Sequence, residues 1–191
     1  MRRRGFAAVL LPLLLGPACV QSTDVRPGCG TPDDDAVFVL AAQAVPSARL
    51  LPCLDALAAG WDFAGSQIVE GSFRFWLSSD RAGFQAVRVE LVAVCDITDT
   101  VEVLPGIDEL GTRRFEQPLS LDPSFAANRY YRFPGGCVEV EYRFARGAPS
   151  TLVLEADQAI SFRPREAIVD RLQEHGLVLC GFGAPACPGG D

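Results

Sequence analysis

Ser72-Phe73-Arg74-Phe75-Trp76-Leu77 alternates without a break. In an extended chain Phe73, Phe75 and Leu77 leave one face, and Ser72, Arg74 and Trp76 leave the other. The same period recurs in Val87 to Cys95, where Val87, Val89, Leu91, Ala93 and Cys95 oppose Arg88 and Glu90. It recurs again in Val138 to Phe144, where Val138, Val140, Tyr142 and Phe144 oppose Glu139, Glu141 and Arg143. Strands with one dry and one wet face belong to antiparallel sheets, because parallel strands are buried on both faces and read as continuous apolar runs.

Weaker strands are expected at Gln67–Glu70, Thr100–Leu104, Thr112–Glu116 and Arg129–Phe133. Pro134-Gly135-Gly136 reads as the turn of a hairpin joining the last of these to the strand at Val138. Thr151–Ala156, Ala159–Phe162 and Leu177–Cys180 also read as extended. Ala36–Val45 is apolar nearly all round and favours a helix slightly over a buried strand, with Pro46 as its end. Pro52–Ala59 reads as a short helical piece stopped by Gly60. Pro164 to His175 predicts a helix with Gly176 as its stop, and Ile168, Val169 and Leu172 form its apolar stripe. The expected fold is α+β: an antiparallel sheet of about five to seven strands, with a C-terminal helix packed on one face and disulfide staples.

At the N-terminus, Arg2, Arg3 and Arg4 precede an apolar run from Gly5 to Gly16 that stops at Pro17-Ala18-Cys19. The run is about twelve to fifteen residues, short of the roughly 20 that span a bilayer as a helix, and it has the layout of an export signal. The stretch Leu15-Gly16-Pro17-Ala18-Cys19 resembles the signal of bacterial lipoproteins. That resemblance implies a diacylglyceryl group on the Cys19 sulfur, with Cys19 as the mature N-terminus. Leucine stands four residues before the cysteine rather than three, and Pro17 takes a place usually held by a small residue. Gly16 and Ala18 suit ordinary cleavage after Ala18 equally well. The expected organisation is a signal peptide at 1–18, a lipidated N-terminus with a flexible tether at 19–35, and one α+β domain at 36–191.

The chain has seven cysteines, Cys19, Cys29, Cys53, Cys95, Cys137, Cys180 and Cys187. Setting Cys19 aside leaves an even set, able to form three disulfides in an oxidising compartment. Cys95 and Cys137 flank two of the strong strands and form the leading pair. Their facing parities differ, so this bond requires a bulge or bend. For the rest, Cys29–Cys187 with Cys53–Cys180 and Cys29–Cys53 with Cys180–Cys187 both stand open.

All 17 basic residues are arginine, and His175 is the single histidine. Without lysine there is no P-loop lysine, no Schiff-base lysine and no Ser-Lys dyad. One histidine excludes a two-histidine zinc site, and no metal or other cofactor is expected. The formal charge is −7, and removing the three signal arginines takes it to −10, so nucleic acid is not an expected partner. The arginine-only, alanine- and glycine-rich composition is similar to that of secreted actinobacterial proteins.

No motif names a reaction. Arg74 and Trp76, with Tyr130, Tyr131 and Arg132, offer aromatic and arginine side chains for a recognition surface. Glu90, Glu139 and Glu141 are the carboxylates nearest a paired acid–base arrangement. The expected protein is an exported lipoprotein of the cell envelope, anchored at the outer face of the cytoplasmic membrane or otherwise secreted, with a binding or structural role. Its expected partners are the membrane, through the lipid on Cys19, and an envelope protein or small apolar ligand. A carrier of an apolar ligand and a secreted hydrolase using paired carboxylates are the alternatives.

Overall fold

The computed structural model describes residues 21–23, 25–29, 35–107, 109, 111–174 and 176–181. In chain order its elements are β1 (Gln21–Thr23), α1 (Asp35–Ala44), β2 (Leu50–Leu54), β3 (Trp61–Val69), β4 (Ser72–Ser79) and β5 (Gly83–Val92). There follow β6 (Val101–Val103), β7 (Arg113–Ser120), β8 (Ala126–Phe133), β9 (Gly136–Arg143), α2 (Leu152–Ala159), β10 (Ile160–Pro164) and α3 (Arg165–Glu174). The main sheet has seven antiparallel strands in the order β3-β4-β5-β9-β8-β7-β6, and the short β1 pairs outside β3. β2 and β10 form a separate antiparallel pair. The expected α+β fold is therefore present, with its C-terminal helix.

The three alternating stretches lie side by side as β4, β5 and β9. Phe73 pairs with Leu91, Phe75 with Val89 and Leu77 with Val87, and on the other side Leu91 meets Val138 and Val89 meets Val140. All are fully buried. The dry face is covered by α1, by the β2–β10 pair and by α3, which buries Ile168 and Val169 in the same core. Burial of this one continuous face is the main source of stability, at roughly 25 cal/mol per Å² of apolar surface removed from water. Gly176 closes α3 in a left-handed turn (φ 72°). Its N–H bonds the Gln173 carbonyl and that of Leu177 bonds Leu172, the paired bonds that satisfy a helix C-terminus. The expected Pro134-Gly135 hairpin turn joins β8 to β9. At Gly135 a Cβ would lie 1.8 Å from the Ser47 carbonyl oxygen, so only glycine allows that approach.

After β5 the chain crosses the wet face to reach the far edge at β6, then returns through β7 and β8 to pair β9 with β5. Ile97 in this crossing packs with Phe115, Tyr130 and Cys137, a small second core on the wet face. The Cys95–Cys137 bond staples the crossing. The parity conflict disappears because β5 ends at Val92, and Cys95 lies in the loop beyond it.

Cys29 bonds Cys53. Cys180 is disulfide-bonded as well, and its partner falls outside the described residues. Part of the stretch read as a tether belongs to the domain: Gln21–Thr23 lies on β3, Gly28 bridges Leu54, and Cys29 is covalently held. Two disulfides between described cysteines fit an oxidising, extracytoplasmic location. Among the described residues no helix is long and apolar enough to cross a membrane.

Three local expectations are corrected. Residues 152–159 form α2, not a strand, because Leu152, Ala156 and Ala159 are buried at helical spacing. Leu50–Leu54 is β2, not part of a helix; all five residues are buried, and Pro52 is tolerated in an edge strand. Leu177–Cys180 is irregular. It is held by Arg165, a wholly buried side chain whose Nη1 donates to the Ala42 carbonyl at 2.7 Å and whose Nη2 donates to the Cys180 carbonyl.

Candidate functional site

Over β7 the covering layer runs out. On β8, Ala127, Arg129, Tyr131 and Phe133 share the dry face, and on β7 Arg114 and Glu116 do. Arg129 thus puts a charge on the parity of the core. Its partner comes from the layer above: Asp157 of α2 lies with Oδ2 at 2.5 Å from Arg129 Nη1. The Tyr142 hydroxyl donates to the other Asp157 oxygen. Arg129 Nε donates to Glu116 at 3.0 Å, and the guanidinium lies over the Tyr142 ring, 5.6 Å from its centre. Arg114 extends the chain of charges, with Nη2 at 2.9 Å from Glu116 and Nη1 at 3.2 Å from Glu109.

The side chains of Arg129 and Asp157 are only 11% and 22% exposed. Burial disfavours the charge on Arg129, but Tyr142, Tyr131 and Asp157 outweigh it, and its pKa is raised. Burial is also the main cause that raises the Tyr131 and Tyr142 hydroxyls. At physiological pH Arg129 is therefore charged and both phenols are neutral.

Two clefts flank this network. The first, of about 180 Å³, lies between α2 and the β7–β8–β9 end of the sheet; Phe125, Ala127, Tyr142 and Val153 supply apolar wall, and Glu116 and Arg129 supply charge. The second, of about 370 Å³, is more polar and is lined by Asp55, Glu109, Asp157, Gln158 and Ser161 among others. Arg129 lines one and Asp157 the other, so their ion pair stands between the two. Among the described residues no group of His, Cys, Asp and Glu has the arrangement of a metal site.

The recognition residues expected from the sequence are divided between faces. Arg74 and Trp76 lie on the wet face, Arg74 paired with Glu90 at 3.1 Å and Trp76 half-buried opposite Arg88. Arg132 is exposed on that face, whereas Tyr130 is buried in the small core under the crossing loop. Tyr131 faces the other way, into the main core, edge-on to Phe162 with ring centres 4.9 Å apart. Glu90, Glu139 and Glu141 do share the wet face, with Glu90 directly opposite Glu139. Arg88 spans them, 3.0 Å from Glu141 and 3.8 Å from Glu90, and neither cleft beside Arg129 contains them. Cys19, His175 and Cys187 lie outside the described residues.

Glu116 and Asp157 carry no signal in the sequence, and Arg129 stands out there only within the aromatic-arginine run Arg129–Phe133. One signal was available: in Arg129-Tyr130-Tyr131-Arg132-Phe133, Arg129 has the parity of Tyr131 and Phe133, a charge where the core pattern calls for an apolar residue. Comparison of the chain with family models, curated proteins and solved structures finds no match.

Proposed function

We propose that the protein is an exported lipoprotein of the bacterial envelope, held at the outer face of the cytoplasmic membrane through Cys19, and that its domain works by binding. The observation that carries the binding half is the apolar-walled cleft between α2 and β7–β8, beside the ion-paired Glu116, Arg129 and Asp157. Concave, largely apolar sites with a few fixed polar groups are the usual form of a small-molecule site. The oxidised cysteines support the exported half. The hydrolase reading has less support, because the carboxylates beside the cleft are engaged by arginine and tyrosine rather than poised as an acid and a base. A carrier of a long lipid has less support, since the apolar-walled cleft is small.

Two measurements test the halves separately. Unreduced intact mass spectrometry of the membrane-extracted protein is expected to give a chain beginning at Cys19, with a diacylglyceryl mass and six hydrogens fewer than the reduced form. An unmodified N-terminus would overturn the anchor. For the binding half, an NMR fragment screen is expected to produce amide shifts clustered at Phe125, Ala127, Arg129 and Val153. Shifts scattered over the surface would remove the cleft as the site.

A further inference from the structure

We infer that the cleft beside Arg129 takes an uncharged molecule with a compact apolar body and a hydrogen-bond acceptor. This rests on the reading of the cleft as the binding site and adds the class of ligand.

The charges around the cleft are already matched. Arg129 lies between Glu116 at 3.0 Å and Asp157 at 2.5 Å, so an incoming carboxylate or phosphate would find no unspent positive charge and would face Glu116. Glu116 is held by both Arg114 and Arg129, so an ammonium group would meet a neutralised carboxylate and two cations. A charged ligand would lose its hydration without gaining a counter-charge, and burying an uncompensated charge is heavily penalised.

Gln117 and Asn128 also line the cleft, with the Asn128 amide donating to Gln117 Oε1 at 3.3 Å, and Arg129 adds a further polar handle. The bonds of Arg129 to Glu116, Asp157, Tyr131 and Tyr142 use Nε and Nη1, and Nη2 takes part in none of them. Arg129 lines the cleft, so Nη2 is the donor offered to an alcohol, ether or carbonyl oxygen. The walls, Phe125, Ala127, Tyr142 and Val153, suit a ring or a short branched chain. The volume of about 180 Å³ suits a one-ring molecule better than a fatty acid or a sterol.

Three probes of one shape and different charge test this: benzyl alcohol, benzoate and benzylamine, each titrated into the isotope-labelled protein and followed by NMR. Benzyl alcohol is expected to shift the amides of Ala127, Arg129 and Val153 and to bind at least ~10-fold more tightly than either charged analogue. Val153→Trp, which fills the cleft from α2, is expected to abolish those shifts. Pro118→Phe fills it from β7 and gives the same answer if the first variant does not fold. Tighter binding of benzoate or benzylamine at the same amides would overturn the uncharged class and leave the cleft as the site. Silence of all three probes would also overturn the class; the fragment screen then decides the site itself, since clustered hits keep it and scattered hits remove it.

Discussion

The two faces of the sheet carry the same ionic chemistry in different settings. On the wet face, Arg74 pairs with Glu90, Arg88 spans Glu90 and Glu141, and Arg143 pairs with Glu141. Two of these pairs join neighbouring strands and two lie within one strand, and each carboxylate has a second partner. Losing one arginine leaves the others able to compensate, with water at hand. Around Arg129 the partners arrive from different layers, Glu116 from β7 and Asp157 from α2, over the ring of a fully buried Tyr142. There the loss of one group strands the rest away from solvent. Arginine and carboxylate therefore act as a tolerant lattice on one face and as an obligatory joint between layers on the other.

The largest expected effect breaks the wet face where it is covered. Replacing both Cys95 and Cys137 by serine opens a loop of sequence separation 42 and is expected to cost about 4 kcal/mol in chemical denaturation. Hydrogen exchange should rise first in residues 93–100 and at Tyr130. Uniform exchange across the sheet would show that the crossing loop has no separate stability. Next comes the joint between layers. Asp157→Ala leaves Arg129 and the Tyr142 hydroxyl without their shared acceptor and is expected to lower stability by about 3 kcal/mol. A loss below about 1 kcal/mol would place this network among ordinary surface pairs and dissolve the contrast. On the wet face Arg88→Ala should cost only about 0.5–1 kcal/mol and less at high salt.

The smallest effect is one of sign. Burial, with Glu141 and Glu90 nearby and only partly offset by Arg88, raises the Glu139 carboxyl above its ordinary 4.5. Between 4.5 and the raised folded value the native state binds more protons than the unfolded chain, so this group's contribution to stability falls as pH rises. Glu139→Gln is expected to gain stability relative to the parent as pH increases through that window. A difference that is flat with pH, or slopes the other way, would show that Glu139 titrates like an exposed carboxylate.

Much of the sheet was legible because alternation is local. The faces of β4, β5 and β9 follow from parity alone, and α3 with its Gly176 stop follows from spacing and a single residue. The errors fell where local signals compete. Thr151–Ala156 alternates well enough for a strand, yet its apolar residues also satisfy a helix, and packing over Tyr142 and Trp61 settled the matter. Pro52 suggested a helix start, but five consecutive buried residues paired with β10 make an edge strand. Tyr131 leaves the expected recognition set because, as the sequence neighbour of Tyr130, it points to the opposite face.

The sequence by itself determined the oxidised cysteine chemistry, the antiparallel sheet, its dry and wet faces and the closing helix. Each of these depends on residue type and a short repeat. Tertiary structure decided where the covering layer ends, which loop crosses the wet face, and that Asp157 meets Arg129 across 28 positions of chain. Those outcomes depend on how layers of finite width overlie one another. The cleft exists because α2 reaches β8 and leaves β7 partly uncovered, a matter of geometry that no short stretch of residues records.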